Sequence, residues 1–130
     1  MRLERDQLGK FGEHTAAAFY RVRGYTIVAR NARSPEGEID LIARRGAMLA
    51  IVEVKARQTH TAGEGHEAVT RQKRERLVRL GNRFAELYPT CQLRYDIVSL
   101  FWNGWRFEIS HFEDAFRPVA DHRRPWIWRA

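Results

Sequence analysis

The chain has 130 residues, 44% of them hydrophobic, which suits one domain around one core. Lys and Arg number 23 against 16 Asp and Glu, a formal charge of +7 with a pI near 10.3, which suggests a polyanionic partner (nucleic acid or an anionic membrane surface), the alternative being a soluble domain with surplus surface arginine. The single cysteine, Cys91, excludes an internal disulfide, the charged start MRLERDQLGK has no apolar signal region, and no apolar run approaches the roughly 20 residues of a spanning helix, so the expected location is the cytoplasm.

Leu8, Phe11, Thr15, Phe19 and Val22 recur at three- and four-residue spacing, which predicts an amphipathic helix over residues 6–22, stopped at Gly24. YTIVAR (25–30) reads as a short strand, and Asn31 to Pro35 as a polar turn. GEIDLIA and AMLAIVEVKA read as two strands around an Arg45-Gly46 turn. Residues 58–66 form a polar loop with two glycines, a candidate flap. A second helix is predicted over 67–88, with Val69, Leu77, Leu80, Phe84 and Leu87 on its stripe and Pro89 ending it. LRYDIVSLFW and WRFEISHF flank Asn103-Gly104, a strong hairpin signal. The domain is expected to occupy residues 1–116, with a basic, aromatic tail over 117–130.

The predicted order is therefore α-β-β-β-α-β-β. Ile39, Leu41, Val52 and Val54 are expected on one face of the central strands, and Ile42, Leu49 and Ile51 on the other. Two apolar faces need two covers, and the two helices supply them. The second helix is long enough to cross over to a parallel fourth strand. The expected class is α/β, a mixed central sheet flanked by helices.

Three charged residues, Asp40, Glu53 and Lys55, interrupt the best core-forming strands. With Arg45-Gly46 as a two-residue turn, residue 44 faces 47, 40 faces 51 and 38 faces 53. Asp40 then sits diagonal to Glu53 on one face, whereas an odd loop would send it to the other. Glu38, Asp40 and Glu53 are expected to crowd, raising one another's pKa or drawing in a cation. Oxygen donors suit Mg²⁺ or Mn²⁺ rather than zinc, and the histidines at 14, 60, 66, 111 and 122 are scattered. The expected ligands are Asp40, Glu53 and the Val54 carbonyl, with Lys55 stabilising developing charge. The alternative is a set of structural ion pairs.

At these residues the chain resembles the YraN-like family of uncharacterised bacterial proteins and is similar to the archaeal Holliday junction resolvases. The resemblance starts at LGKFGEHTAAAFYRVRGYTIVARNAR, is strongest in GEIDLIARRGAMLAIVEVKAR, and continues through GHEAVTRQKRERL and LRYDIVSL. It implies a restriction-endonuclease-like, PD-(D/E)XK fold in which Asp40, Glu53 and Lys55 form the nuclease triad. It also implies that Glu13 is the added carboxylate of the resolvase branch. Ser34-Pro35 lies in the turn before GEID, with no proline directly before Asp40, and the tail beyond Phe116 has no family counterpart. The resolvase likeness further implies a homodimer.

Glu13 falls outside the Leu8–Phe11–Phe19 stripe and groups with Ala16, Ala17 and Tyr20. Pattern alone makes it solvated, whereas the resemblance places it on a face that approaches another element. Lys73 occupies an apolar position of the second helix, where it either snorkels to solvent or, with Gln72, points over the sheet towards a phosphate. Arg30, Arg33, Arg57, Arg71 and Arg74 are candidate phosphate contacts or solvated arginines. Gly63-Glu64-Gly65 lacks the lysine-serine ending of a phosphate loop. Asp96 is expected in a structural pair with an arginine, and Cys91 has no catalytic setting. The tail HRRPWIWRA could stack on bases, lie on a membrane or cover an apolar patch.

These readings converge on a Mg²⁺- or Mn²⁺-dependent endonuclease acting on DNA, with branched molecules the favoured substrates. No small-molecule cofactor and no membrane association are expected. The alternatives are a non-catalytic nucleic-acid-binding protein with the same fold, and a protein whose basic surface meets an acidic partner.

Overall fold

The β-branched runs become strands of one sheet, and both of its faces are apolar. The computed structural model describes residues 1–58 and 70–117. Its elements are α1 (Arg5–Arg21), β1 (Thr26–Ser34), β2 (Gly37–Arg45), β3 (Met48–Arg57), α2 (Arg71–Ala85), β4 (Gln92–Trp102) and β5 (Phe107–Phe116). The sheet order is β1-β2-β3-β4-β5. Neighbours pair antiparallel except β3 and β4, which run parallel because α2 lies in the connection between them. The α/β class and the α-β-β-β-α-β-β order are those expected.

Helix α1 packs through a face that only partly overlaps the predicted stripe. Its N-terminus carries a capping box between Glu4 and Gln7. Leu8, Gly12, Ala16, Ala17 and Tyr20 are buried, whereas Phe11 is 46% exposed and Val22 79%. The cause is closeness. A Cβ added at Gly12 would stand 2.8 Å from the Ala56 Cβ, so only small side chains fit between this helix and the sheet. Leu8 and Phe19 of the predicted stripe do pack on the core, and the short separation turns the buried face from Phe11 towards the small residues Gly12, Ala16 and Ala17. Glu13 is half-buried beside this packed face.

Under α1 lie Leu41, Ala43, Ala50, Val52, Val98 and Leu100, together with Tyr20 and Tyr25. On the other face Leu77, Val78 and Leu80 of α2 cover Ile39, Ile42, Leu49, Ile51, Tyr95 and Phe116. Ile39 thus leaves the side expected for it and joins Ile42. Helix α2 is capped by the Thr70 hydroxyl, which accepts from the Lys73 amide at 3.2 Å. It ends at Ala85, which leaves Leu87 70% exposed instead of on the predicted stripe. Val69, the Gly63–Gly65 flap and the tail from residue 118 lie outside the described residues.

Three turns shift the predicted boundaries. Strand β1 runs through Asn31 to Ser34, so the predicted polar turn shrinks to Pro35-Glu36. The β2–β3 turn is Gly46-Ala47, with Gly46 at φ 59°, and it pairs Arg45 with Met48, Ile42 with Ile51 and Leu41 with Val52. The register is therefore displaced by two residues from the expected 40–51 pairing, which leaves facing unchanged because strand periodicity is two. Between β4 and β5 the Asn103 side-chain oxygen accepts from the amides of Trp105 (2.9 Å) and Arg106 (3.1 Å). Among the described residues, no helix is long and apolar enough to cross a membrane.

One polar cluster sits inside the α1 face. Asp96 receives Arg94 Nε at 2.8 Å and Nη2 at 2.7 Å, the Tyr20 hydroxyl at 2.7 Å and the Asp114 amide at 2.9 Å. His111 Nε2 stands 3.1 Å away. The pair with Arg94 is the structural one expected for Asp96. Burial alone would raise the Asp96 pKa, but the hydrogen bonds from Arg94, Asp114, Tyr20 and His111 outweigh it and hold the pKa below 3.8. Asp96 therefore stabilises the fold in full above its ordinary value of 3.8, and this contribution is lost as pH falls through the lower folded value. Replacing Asp96 by Ala removes the bidentate partner of buried Arg94, leaving it Glu113 and the Tyr25 hydroxyl, and should cost about 3–5 kcal/mol in urea denaturation at pH 7.

Candidate functional site

The site forms where the regular ladder of β2 and β3 stops. Pairing ends at Leu41–Val52, and the register continued by one step sets Asp40 across from Glu53. Instead of a backbone carbonyl, the Asp40 side chain meets β3: its Oδ2 accepts from the Val54 amide at 2.8 Å. Val54 is thus adjacent to Asp40 through its N–H. Glu53 and Lys55 follow on alternate positions of β3, away from Val52 and Val54, which face α1. Lys55 Nζ lies 3.9 Å from Glu53 Oε1, with the two side chains 26% and 15% exposed.

A kink in the β1–β2 pair accompanies this break. Arg30 pairs with Leu41 and Ala32 with Ile39, but the intervening Asn31–Asp40 pair is missing from the ladder. Asn31 has φ 49°, a left-handed conformation that Asn tolerates better than most residues. Ala29 and Ala32, three apart, pack in the same cluster as Ile42 and Ile39, also three apart. Leu41 between them belongs to the opposite cluster. Both strands therefore lose one step of alternation at the level of Asp40. That slip carries Ile39 to the α2 side.

Electrostatics single out Asp40. Burial, reinforced by the Glu53 charge, raises its pKa from 3.8 to about 7, the Val54 hydrogen bond opposing only in part. Glu38 adds a smaller push, but its own side chain meets Arg33 at 3.7 Å near the hairpin tip. The expected crowd of three carboxylates is thus a close pair with a third at a distance. Among the described residues, no three His, Cys, Asp or Glu side chains converge as a ready-made metal cage.

The remaining candidates lie on α1, the β1–β2 hairpin, the end of β3 and the first turn of α2. Glu13, half-buried on α1, accepts from Asn31 Nδ2 at 3.1 Å, and Asn31 lies across from Asp40. Gln72 is exposed in the first turn of α2 and Lys73 is half-buried there. Arg57, at the end of β3, is half-buried, and its Nε has no hydrogen-bond partner among the described residues. Arg33 is exposed on the β1–β2 hairpin. Arg30 stands 3.4 Å from His14, Arg71 pairs with Glu75, and Arg74 lies over the Phe116 ring. Cys91 is a free, half-buried thiol.

Two further residues shape the site without a signal in the hydrophobic pattern. Asn31 was read as part of a turn, although asparagine within a strand-forming run is itself a signal of left-handed backbone. Arg76 crosses the start of β2 at Gly37, where an added Cβ would stand 2.6 Å from the Arg76 Cδ. Close by, Arg83 pairs with Glu36 at the hairpin tip. The α2 cations thus extend along the β1–β2 hairpin.

A mixed α/β domain whose sheet opens around an Asp–Glu pair beside an amine is the class that fold and site define. Residues 12–100 match the model of the family described as Uncharacterised protein family UPF0102. A UPF0102 protein of Chlorobium phaeobacteroides is 36% identical over 117 residues, covering 84% of this chain and 93% of the relative. One of Prosthecochloris aestuarii is 36% identical over 124 residues, covering 89% and 98%. One of Symbiobacterium thermophilum is 44% identical over 98 residues, covering 72% and 81%. The chain belongs to this family.

The raised Asp40 pKa has a stability consequence. The folded state holds its proton up to about pH 7 while an unfolded Asp releases it near 3.8, so stability falls as pH rises between these values. Asn at position 40 removes that loss and retains an acceptor for Val54. In EDTA, Asp40→Asn should exceed wild type by about 1–3 kcal/mol at pH 8, and the difference should shrink towards pH 5. Urea denaturation at the two pH values measures it.

Proposed function

We propose that this protein is a divalent-metal-dependent endonuclease that hydrolyses DNA phosphodiesters, with branched DNA the favoured substrate. The observation that carries this reading is the half-buried Asp40–Glu53 pair, in which Asp40 is driven to a pKa of about 7, beside Lys55. Two carboxylates held close together and half-buried cost stability, and a fold that keeps them has a use for their charge. The family resemblance through GEIDLI and EVK supports the same assignment.

The donor set fits a hard cation. It offers carboxylate oxygens, and the described histidines are engaged elsewhere: His14 beside Arg30, His111 beside Tyr20 and Asp96. Asp40, Glu53 and the Val54 carbonyl would hold Mg²⁺ or Mn²⁺. Such an ion, when bound, supplies positive charge at the attacked phosphate and makes water a better nucleophile at neutral pH. Lys55 places an ammonium where charge accumulates on the phosphate oxygens, and Glu53, 3.9 Å from it, keeps that amine oriented. Glu13, held by Asn31, brings a carboxylate from the α1 side to bind or place charge. Arg33, Arg57, Gln72 and Lys73 contact the backbone phosphates, setting affinity rather than sequence choice. Paired cuts across a junction need two such sites, so a homodimer belongs to this reading.

A second reading is nucleic-acid binding without turnover. It is favoured by the absence, among the described residues, of a ready-made three-ligand cage. One experiment separates the two. Wild type, Asp40→Asn, Glu53→Gln and Lys55→Ala are incubated with linear duplex and four-way-junction DNA in Mg²⁺, Mn²⁺ or EDTA. The nuclease reading expects metal-dependent cutting by wild type and losses of about 10²–10⁴-fold in each variant with binding retained. Binding without cutting by wild type in either metal transfers the function to the second reading.

The phosphate contacts have their own signature. Lys73→Ala and Arg76→Ala should each weaken DNA binding alike across sequences, and each should reduce the slope of log affinity against log salt by about 1. Fluorescence anisotropy over a salt series measures both.

A further inference from the structure

The kink at Asn31 has two separable parts. Its backbone has φ 49° in the middle of a nine-residue strand, at the position opposite Asp40 where the β1–β2 ladder loses one pair. Its side chain leaves the sheet and donates to Glu13 of α1 at 3.1 Å. The backbone part shifts the alternation of both strands, so Leu41 faces α1 while Ile39 and Ile42 face α2. Asp40 sits at that slip, and its carboxylate points along the sheet to the Val54 amide instead of into either core. The side-chain part ties the only acidic residue of the packed α1 face to the same level of the sheet.

We propose that Asn31 is the positioning residue of this site: its left-handed backbone turns Asp40 towards β3, and its side-chain amide holds the Glu13 carboxylate on the α1 side at the level of Asp40. Few residues can do both. Glycine takes the conformation but offers no amide, alanine does neither well, and most other side chains resist a positive φ. Aspartate tolerates the backbone but would set a second negative charge against Glu13. The assignment rests on the nuclease reading for its catalytic consequence, and the backbone part stands independently of it.

The test uses Asn31→Gly, Asn31→Ala, Glu13→Gln and the double variant Asn31→Gly/Glu13→Gln in the full chain. Asn31→Gly should melt within a few degrees of wild type and bind Mn²⁺ within about threefold, because the kink survives. Asn31→Ala should melt several degrees lower than Asn31→Gly and bind Mn²⁺ more weakly, because the left-handed backbone is strained. On junction DNA, Asn31→Gly should lower kcat at least tenfold with KM little changed. Glu13→Gln should do the same, and the double variant should fall no further, the mark of two residues acting as one unit.

Equal melting and equal Mn²⁺ affinity of the Gly and Ala variants would overturn the backbone part. Wild-type kcat in Asn31→Gly, or additive losses in the double variant, would overturn the side-chain part. If wild type does not cut DNA, the nuclease reading fails on its own. The side-chain part is then read from the melting temperatures of the same four proteins, and independent effects at Asn31 and Glu13 would contradict it.

Discussion

The hydrogen bond from the Val54 amide to the Asp40 carboxylate stands where two strands of the central sheet part company. A backbone donor that leaves its ladder needs another acceptor, and a buried carboxylate needs donors. Each meets the other's requirement, but incompletely. One hydrogen bond cannot offset burial next to Glu53, so Asp40 retains its proton up to about neutral pH. The site is thus short of positive charge by construction, and Lys55 at 3.9 Å from Glu53 supplies only part of it.

Asp96 shows what the same residue type becomes when its needs are met. It lies on the adjacent parallel strand, opposite Val52 in register. Two arginine nitrogens, a tyrosine hydroxyl and a backbone amide converge on it, and its pKa goes down. That cluster ties α1 to β4 and β5 and holds the sheet on which the other carboxylate is displayed. A satisfied aspartate stabilises; an unsatisfied one is available for chemistry. The two sit in the same sheet with β3 between their strands; Asp96 is the more deeply buried, yet its donors bring its pKa down, while burial and the Glu53 charge push that of Asp40 up.

Much of the architecture could be read from residue patterns because it depends on periodicity. The apolar alternation of GEIDLIA and AMLAIVEVKA implied a doubly covered sheet, and the length of the second helix implied the parallel crossover. Failures cluster where close approach or backbone conformation overrides hydrophobicity. Phe11 and Val22 looked like core residues, yet α1 packs too tightly for them and uses Gly12 and Ala16. Ile39 was assigned to the wrong face because strict alternation cannot foresee a slip at Asn31. The charged triplet was visible as a break in pattern, and its facing survived a two-residue error in register because such an error preserves parity. Asn31 was overlooked because its signal, a polar residue with positive φ inside a strand, resembles a turn.

The central claim is that a close carboxylate pair keeps a proton at neutral pH until a divalent cation displaces it. Calorimetric titration of Mg²⁺ at pH 7, repeated in buffers of different ionisation enthalpy, counts the protons set free on binding. The account predicts binding with release of about half a proton per ion at pH 7, declining to almost none by pH 9. Binding without proton release at pH 7, or no binding of Mg²⁺ at all, would contradict it.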